Sequence, residues 1–194
     1  MNMPNKLTLT RIILAPVFMT FFLSESPYSR LFGCVLYFIA ALTDIADGHY
    51  ARKYGIVTGF GKFMDPLADK ILVASAFIAL VSLHYVRAWM VMLIVSREFF
   101  VTGLRMLAAY KGRVISPTPL AKGKTIMQMT TITIILLVIT LDVLLKGLQS
   151  PLATLIDFNW QLTFDILMGA TTFITLYTGV DYMIKYYSLM KSSL

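Results

Sequence analysis

Four aspartates, Asp44, Asp47, Asp65 and Asp69, lie close together in a chain that is otherwise mostly apolar. On a helix, the step of three residues within the first pair and of four within the second places each pair on one face. Four carboxylates in a poorly hydrated place repel one another, so either several of them stay protonated or divalent cations neutralise their charge. Because Mg2+, Mn2+ and Ca2+ prefer carboxylate oxygen, the two pairs predict a divalent-metal site.

The residues after the first pair suit a phosphate ligand. Gly48 leaves space beside Asp47, Ala51 keeps the next helical turn slim, and Arg52 supplies a fixed positive charge. Small residues allow a ligand to approach the backbone, and a guanidinium matches the shape of a phosphate. This segment therefore predicts a site for a phosphorylated ligand beside the metals.

The second acidic pair is expected at the start of its own helix. Gly59 and Gly61 precede the pair and predict a flexible link, and Pro66 follows Asp65 directly. Proline is tolerated in a first helical turn, so we expect this helix to begin near Asp65.

The elements that must hold these residues are membrane helices. Hydrophobic residues make up 58% of the chain and charged residues 14%, and the mean hydropathy is +0.75, which is unlike a soluble domain. A hydrocarbon core of about 30 Å needs about 20 residues per helix. The sequence therefore predicts an all-α integral membrane protein in which residues 1–194 form one domain of six transmembrane helices. The expected spans are 8–23, 31–54, 65–83, 88–110, 125–145 and 162–187, and residues 111–124 are expected to form a loop.

Basic residues are distributed unevenly over the predicted loops. Six spans place both termini on one side, together with the loops around 49–64 and 111–124, and that side carries most of the lysines and arginines. The opposite loops offer only Arg30, Arg87 and Lys146. The positive-inside bias therefore predicts an acidic site at the cytoplasmic face. The net charge of +7 favours anionic lipid headgroups, and the pattern does not indicate nucleic-acid binding.

A second polar cluster lies in the fourth predicted span. Arg97 and Glu98 are ionisable residues within that span, where such groups are functional candidates. Arg105 follows about two turns later on a similar face, and Lys122 and Lys124 precede the fifth span. These cations could hold a phosphate group at a second place. The alternative is that Arg97 and Glu98 form a structural pair while the lysines extend to the interface.

The acidic stretch resembles the signature of the CDP-alcohol phosphatidyltransferases, integral membrane enzymes that move a phosphatidyl group from a CDP-linked lipid to an alcohol. Three further segments, SREFFVTGLRMLAAYKGRV, KGKTIMQM and GVDYMIKYY, resemble the bacterial phosphatidylglycerophosphate synthase group of that family. The signature positions present here are Asp44, Asp47, Gly48, Ala51, Arg52, Gly61, Asp65 and Asp69, with Thr58 and Lys70 nearby.

The resemblance implies that sn-glycerol 3-phosphate attacks the lipid-side phosphorus of CDP-diacylglycerol, giving phosphatidylglycerophosphate and CMP. It implies two divalent cations, Mg2+ or Mn2+, held by Asp44, Asp47, Asp65 and Asp69, with Asp69 also as the base. A homodimer in the bacterial cytoplasmic membrane is implied as well. The implied CDP-binding residues are Asp47, Gly48, Ala51, Arg52 and Gly61, and the candidates for the acceptor phosphate are Arg97, Arg105, Lys122 and Lys124.

The N-terminal segment has two interpretations. Asn5, Thr8 and Arg11 recur at three-residue steps. The resemblance implies a polar segment beside the active site, and the alternative is an anchor at the membrane interface.

Other functions stay open at this point. Within the enzyme class, the acceptor could be phosphatidylglycerol, as in cardiolipin synthases, or inositol phosphate or serine. In a different class, a divalent-cation transporter would also place carboxylates inside a membrane. That function leaves Arg52 unexplained, because a fixed cation opposes the passage of cations.

Overall fold

A computed structural model describes residues 3–54, 59–110, 112, 118–150 and 159–186. Within the helices, the side chains of 3–7, 44–54, 59–63, 65 and 66 are outside the description. The described residues form helices joined by turns, without a strand among them. The helices are α1 (Met3–Phe22), α2 (Pro27–Tyr54), α3 (Gly59–Ser82), α4 (Ala88–Tyr110), α5 (Pro119–Gly147) and α6 (Trp160–Lys185).

The all-helical prediction and the number of helices are confirmed for the described part of the chain, and α4 has the predicted bounds. The predicted start of α3 near Asp65 is wrong, because the helix already begins at Gly59 and includes Gly61. Pro66 therefore lies inside the helix, where proline removes one backbone hydrogen bond. Extending the helix pairs the backbone groups of the preceding residues, which a flexible glycine link would leave without partners in an apolar setting.

The predicted loop 111–124 is also wrong in its second part, since α5 begins at Pro119. Thr118 is the N-cap residue, and its hydroxyl accepts a hydrogen bond from the backbone N–H of Ala121 at 3.2 Å. Proline at the first helical position has the backbone angle that a helix needs and lacks only an N–H that would remain unpaired. Lys122 and Lys124 consequently lie on the first turns of α5.

The helices run up and down in two groups of three. α1 packs against α2 and α3, α6 packs against α4 and α5, and contacts of α2 with α5 and of α3 with α4 join the groups. Successive helices run in opposite directions, as in other up-and-down helical bundles. The starts of α1, α3 and α5 and the ends of α2, α4 and α6 therefore lie at one end of the bundle, which we call the polar end.

An apolar core fills the remainder of the bundle. Phe18, Phe22, Phe77, Leu80 and Ile94 are fully buried within it. α1 and α2 approach closely at Gly33, where an added Cβ would lie 2.7 Å from the backbone nitrogen of Phe22. This contact is possible because glycine has no side chain. The core fixes the relative positions of the helices that continue to the polar end.

Hydrophobic character is unequal among the described helices. α5 is long and apolar enough to cross a membrane, with a mean hydropathy of 2.1 over its most apolar stretch. Thr8–Phe22 and Pro27–Thr43 are shorter apolar stretches. Large apolar side chains are exposed on several helices, among them Phe173 at 72% and Ile184 at 74%. Such surfaces are unusual in water and suit contact with lipid.

Candidate active site

A cavity of about 610 Å³ opens at the polar end between α3, α4 and α5. Asp69 and Lys70 contribute from α3, where the chain passes from the acidic stretch into the core. Two further helices supply most of the wall. The lining residues of α4 and α5 are Arg97, Glu98, Val101, Thr102, Arg105, Met106, Ala109, Ala121, Lys122, Thr125 and Ile126.

One carboxylate, that of Glu98, organises the base of the cavity. Its Oε1 accepts hydrogen bonds from Nζ of Lys124 and from Nη1 of Arg97, the latter at 2.6 Å, and its Oε2 accepts from Nζ of Lys70. The side chains of Glu98 and Lys124 are 7% and 2% exposed. Three helices thus bring three cations to one carboxylate, and the buried cluster keeps an excess of positive charge.

Arg97 is held from a fourth helix as well. Its Nη2 donates to the hydroxyl of Thr178 on α6 at 3.0 Å. Beside that bond, the aliphatic part of Arg97 lies against Gly179, where an added Cβ would be 2.9 Å from Cγ of the arginine. Hydrogen bonds therefore fix the guanidinium at both Nη atoms while the glycine accommodates the stem.

Arg105 lies two turns further along α4 and is held differently. Its Nε donates to the hydroxyl of Tyr182 on α6 at 3.1 Å, and its guanidinium lies 5.4 Å from the centroid of the tyrosine ring. In the described part of the chain, Arg105 forms no ion pair with a carboxylate. Tyr182 itself is 1% exposed, so the ring is a fixed support.

The four basic residues that the sequence suggested for a phosphate thus fall into two classes. Arg97 and Lys124 are bound to Glu98, whereas Arg105 and Lys122 line the cavity without a carboxylate partner among the described residues. The pairing of Arg97 with Glu98, which the sequence offered as an alternative, is present. An anion that entered the cavity would meet Arg105 and Lys122 with their charge uncompensated.

The two acidic pairs occupy matching positions along α2 and α3. Asp47 precedes the end of α2 at Tyr54 by two turns, and Asp65 follows the start of α3 at Gly59 by nearly two turns, so each lies about 10 Å from its helix end. α2 and α3 are in contact and four residues connect them. The two pairs are therefore at matching distances along their helices, and Asp69 of the second pair lines the cavity.

The predicted metal and nucleotide residues fall largely outside the described side chains. Among the described residues there is no group of three or more potential metal-ligating side chains. Of the predicted ligands, only Asp69 has a described side chain. The other predicted residues belong to described helices by their backbone alone, namely Asp44, Asp47, Gly48, Ala51, Arg52, Gly61 and Asp65.

A buried polar seam continues from the Glu98 cluster into the bundle. Gln128 follows Lys124 by one turn on α5, and Thr131 shares a hydrogen bond of 3.0 Å with Thr171 of α6. Thr175, between Thr171 and Thr178, is also buried. The seam therefore extends the polar contacts from the Glu98 cluster as far as the bond between Thr131 and Thr171.

The N-terminal polar residues point inward. Thr8 and Arg11 are each 2% exposed, and they lie in the half of α1 near the polar end. Their burial does not fit an anchor in contact with water at the interface. The side chain of Asn5 lies outside the described residues.

Sequence reasoning did not assign Thr178, Gly179 or Tyr182 to the site. The available signal was the segment GVDYMIKYY, which holds two of them, and the threonines that recur at helical spacing along α6. Lys70 was noted only as a neighbour of the acidic stretch. Its bond to Glu98 depends on the packing of α3 against α4, which no local pattern indicates.

The CDP-alcohol phosphatidyltransferase family model matches residues 1–179 of the chain. A CDP-diacylglycerol–glycerol-3-phosphate 3-phosphatidyltransferase of Bacillus subtilis is 40% identical and covers 99% of this chain and 98% of its own length. One with the same name from Rickettsia bellii is 37% identical, with 93% of each chain covered. A probable phosphatidylglycerophosphate synthase of Mycobacterium tuberculosis is 35% identical over 95% of this chain and 81% of its own. The chain therefore belongs to the CDP-alcohol phosphatidyltransferase family.

Proposed function

We propose that the protein transfers the phosphatidyl group of CDP-diacylglycerol to sn-glycerol 3-phosphate, which gives phosphatidylglycerophosphate and CMP. The observation that carries this proposal is the cavity beside Asp69, in which cations outnumber carboxylates. The names of full-length relatives point to the same acceptor. A phosphate monoester suits this cavity better than an uncharged alcohol, because an uncharged alcohol leaves the excess positive charge without a partner.

Arg105 and Lys122 are the residues that contact the acceptor phosphate in this proposal. Both line the cavity, and Lys122 is exposed on the first turn of α5. A guanidinium can hold two phosphate oxygens at once, and an ammonium adds a point charge. In this proposal Arg97 and Lys124 do not contact the phosphate, since both are bound to Glu98. They contribute positive electrostatic potential to the cavity rather than hydrogen-bond donors.

Asp44, Asp47, Asp65 and Asp69 would hold two divalent cations, Mg2+ or Mn2+. Support comes from the chemistry of the residues, since carboxylates are the hard oxygen donors that such ions prefer, and from Asp69, which lines the cavity. When bound, the ions would neutralise the pyrophosphate and stabilise the leaving phosphate. From the family signature, Gly48, Ala51, Arg52 and Gly61 border the CDP moiety with Asp47.

Asp69 is the base in this mechanism. The hydroxyl oxygen of glycerol 3-phosphate forms a bond to the lipid-side phosphorus, the bond from that phosphorus to the CMP oxygen breaks, and the hydroxyl proton passes to the Asp69 carboxylate. Asp69 lines the same cavity as Arg105 and Lys122, so a bound acceptor has its phosphate and its hydroxyl near opposite charges. The chain's own contribution is thus to orient the acceptor and accept its proton.

The membrane arrangement is part of the proposal. All six helices span the bacterial cytoplasmic membrane, residues 1–194 act as one domain, and the polar end faces the cytoplasm. The uneven distribution of basic residues over the loops supports this orientation. A homodimer follows from the family resemblance. Cations outnumber carboxylates among the described residues that line the cavity, and this charge disfavours a divalent-cation path.

The test is CMP release from CDP-diacylglycerol and Mg2+ by detergent-purified protein. Glycerol 3-phosphate is compared with glycerol, inositol phosphate, serine and phosphatidylglycerol. We expect release with glycerol 3-phosphate, and we expect Asp69→Asn to lower kcat by on the order of 10²- to 10⁴-fold. Asp142→Asn, on α5 away from the cavity, is the matched control and should retain activity. Release that requires another acceptor would overturn the proposed substrate.

A further inference from the structure

We propose that one face of α6, formed by Thr178, Gly179 and Tyr182, positions Arg97 and Arg105 and thereby sets the affinity for the phosphorylated acceptor. These are positioning residues, since they act through the arginines. The inference rests on the proposed function and identifies the contacts of α6 that order the acceptor site.

The first contact of this face holds Arg97. Thr178 accepts a hydrogen bond from one Nη atom while Glu98 accepts from the other, so the guanidinium has both ends fixed. Gly179 lies against Cγ of Arg97, and a Cβ added at this position would be only 2.9 Å from that atom, which is too close for an ordinary contact. A methyl group at this position would push a side chain that cannot move without breaking the Glu98 cluster.

The second contact holds Arg105. Bonding of its Nε to the Tyr182 hydroxyl orients the guanidinium without using either Nη atom, and Arg105 also lines the cavity. The buried tyrosine ring supports the same group from one side. A long, flexible side chain that is already ordered loses less conformational entropy when a phosphate binds.

The two arginines differ in their spacing and in their other contacts. Arg97 and Arg105 lie eight residues apart on α4, and their partners Thr178 and Tyr182 lie four residues apart on the parallel helix α6. The two side chains therefore converge on α6, and Arg97 is also bound to Glu98, whereas Arg105 is bound to no carboxylate among the described residues. α6 therefore holds one arginine as a charge reserve and the other as a ligand-binding group.

Two pairs of variants on α6 test this. Gly179→Ala introduces the clash with Arg97, and its control is Gly169→Ala, where an added Cβ meets nothing within 4 Å. Tyr182→Phe keeps the ring and removes the hydroxyl, and its control is Tyr177→Phe, which alters a tyrosine that is 59% exposed.

For Tyr182→Phe we expect the KM for glycerol 3-phosphate to rise roughly 3- to 10-fold while kcat and the KM for CDP-diacylglycerol change little. Gly179→Ala should raise the same KM by about tenfold or more. Both controls should match the wild type. A merely structural role would lower the folded fraction without changing the KM for one substrate more than the other. The decisive readout is therefore a rise in the KM for glycerol 3-phosphate without a rise in the KM for CDP-diacylglycerol.

The inference is overturned if the KM for glycerol 3-phosphate in Tyr182→Phe stays within twofold of the Tyr177→Phe value. Should Gly179→Ala fail to fold, Tyr182→Phe decides alone. A wild type that releases CMP without any dependence on glycerol 3-phosphate defeats the proposed function instead, and the two failures are thereby distinguished.

Discussion

α1 and α6 occupy equivalent places in the bundle, but the second halves of the two helices bury different kinds of residue. Each packs against two neighbours, α1 against α2 and α3, and α6 against α4 and α5. α1 buries Ala15, Phe18 and Phe22 completely. The second half of α6 instead buries polar side chains, namely Thr171, Thr172, Thr175, Thr178 and Tyr182.

This difference separates stability from function. Hydrogen bonds between membrane helices contribute only about 0.6 kcal/mol on average, so the polar interface of α6 does not exist chiefly for stability. Close packing does not require polar groups either, as the contact of Gly33 with the α1 backbone demonstrates. Two of these residues, Thr178 and Tyr182, instead hold the arginines that line the cavity, which is the role that we infer for this part of α6.

The largest loss of stability is expected at the Glu98 cluster near the polar end. Glu98→Gln preserves size but removes the charge that holds Lys70, Arg97 and Lys124 together. Because the buried cations then lack a counter-charge, we expect the free energy of unfolding to fall by roughly 3 to 5 kcal/mol. Reversible unfolding in mixed micelles measures this free energy. We also expect the folded fraction of the variant to lose binding of the acceptor.

The matched control for Glu98 is a more exposed ion pair on α5. Asp142 accepts a hydrogen bond from Lys146, whose side chain is 52% exposed. Asp142→Asn should cost less than about 1 kcal/mol. If the two substitutions lowered the free energy of unfolding equally, burial of the Glu98 cluster would not be what makes Glu98 important for stability.

An intermediate loss of stability is expected in the apolar core, at the contact between α1 and α2. Gly33→Ala places a methyl group against the backbone of α1, at 2.7 Å from the nitrogen and 3.0 Å from Cα of Phe22. Backbone atoms cannot rotate away, so the helices must separate, at a cost of roughly 1 to 3 kcal/mol. The KM for the acceptor should not change, because this contact is far from the cavity.

The control is Gly103→Ala on α4, where an added Cβ meets no atom within 4 Å. That variant should be neutral or slightly stabilising, because alanine favours a helix over glycine. A change in acceptor KM with Gly33→Ala would contradict the division between the two regions.

The smallest effect is expected for a single bond of the polar seam. Thr131→Val removes the hydrogen bond to the hydroxyl of Thr171, and we expect a loss of about 0.6 kcal/mol. Thr130→Val, at the neighbouring exposed position, is the control and should be neutral. A loss as large as that of Glu98→Gln would mean that the seam is a main source of stability.

Much of the fold could be predicted from hydropathy because a long apolar run has few alternatives. The bounds of α4 were predicted as observed, since Tyr110 precedes a change to basic and proline-rich sequence. The starts of α3 and α5 were predicted too late. In both helices glycine or proline was interpreted as a break, whereas Thr118 caps α5 and Gly59 begins α3.

The site could be predicted only where its residues are close in sequence. Arg97, Arg105 and Lys122 were candidates because charges in an apolar segment are conspicuous, and the structure brings them to one cavity with Asp69. The contacts of Tyr182 with Arg105 and of Thr178 with Arg97 join α4 to α6 across most of the second half of the chain. Such pairings depend on helix packing, which periodicity within one helix does not determine.

The central claim is that this cavity recognises the phosphate of the acceptor, and Arg105→Gln tests it most directly. The measurement is the ratio of kcat/KM for glycerol 3-phosphate to kcat/KM for glycerol, in the wild type and in the variant. Loss of a charge-assisted phosphate contact should lower that ratio by on the order of tenfold or more while leaving the KM for CDP-diacylglycerol unchanged. An unchanged ratio would contradict the account, because the phosphate would then be recognised somewhere other than at Arg105.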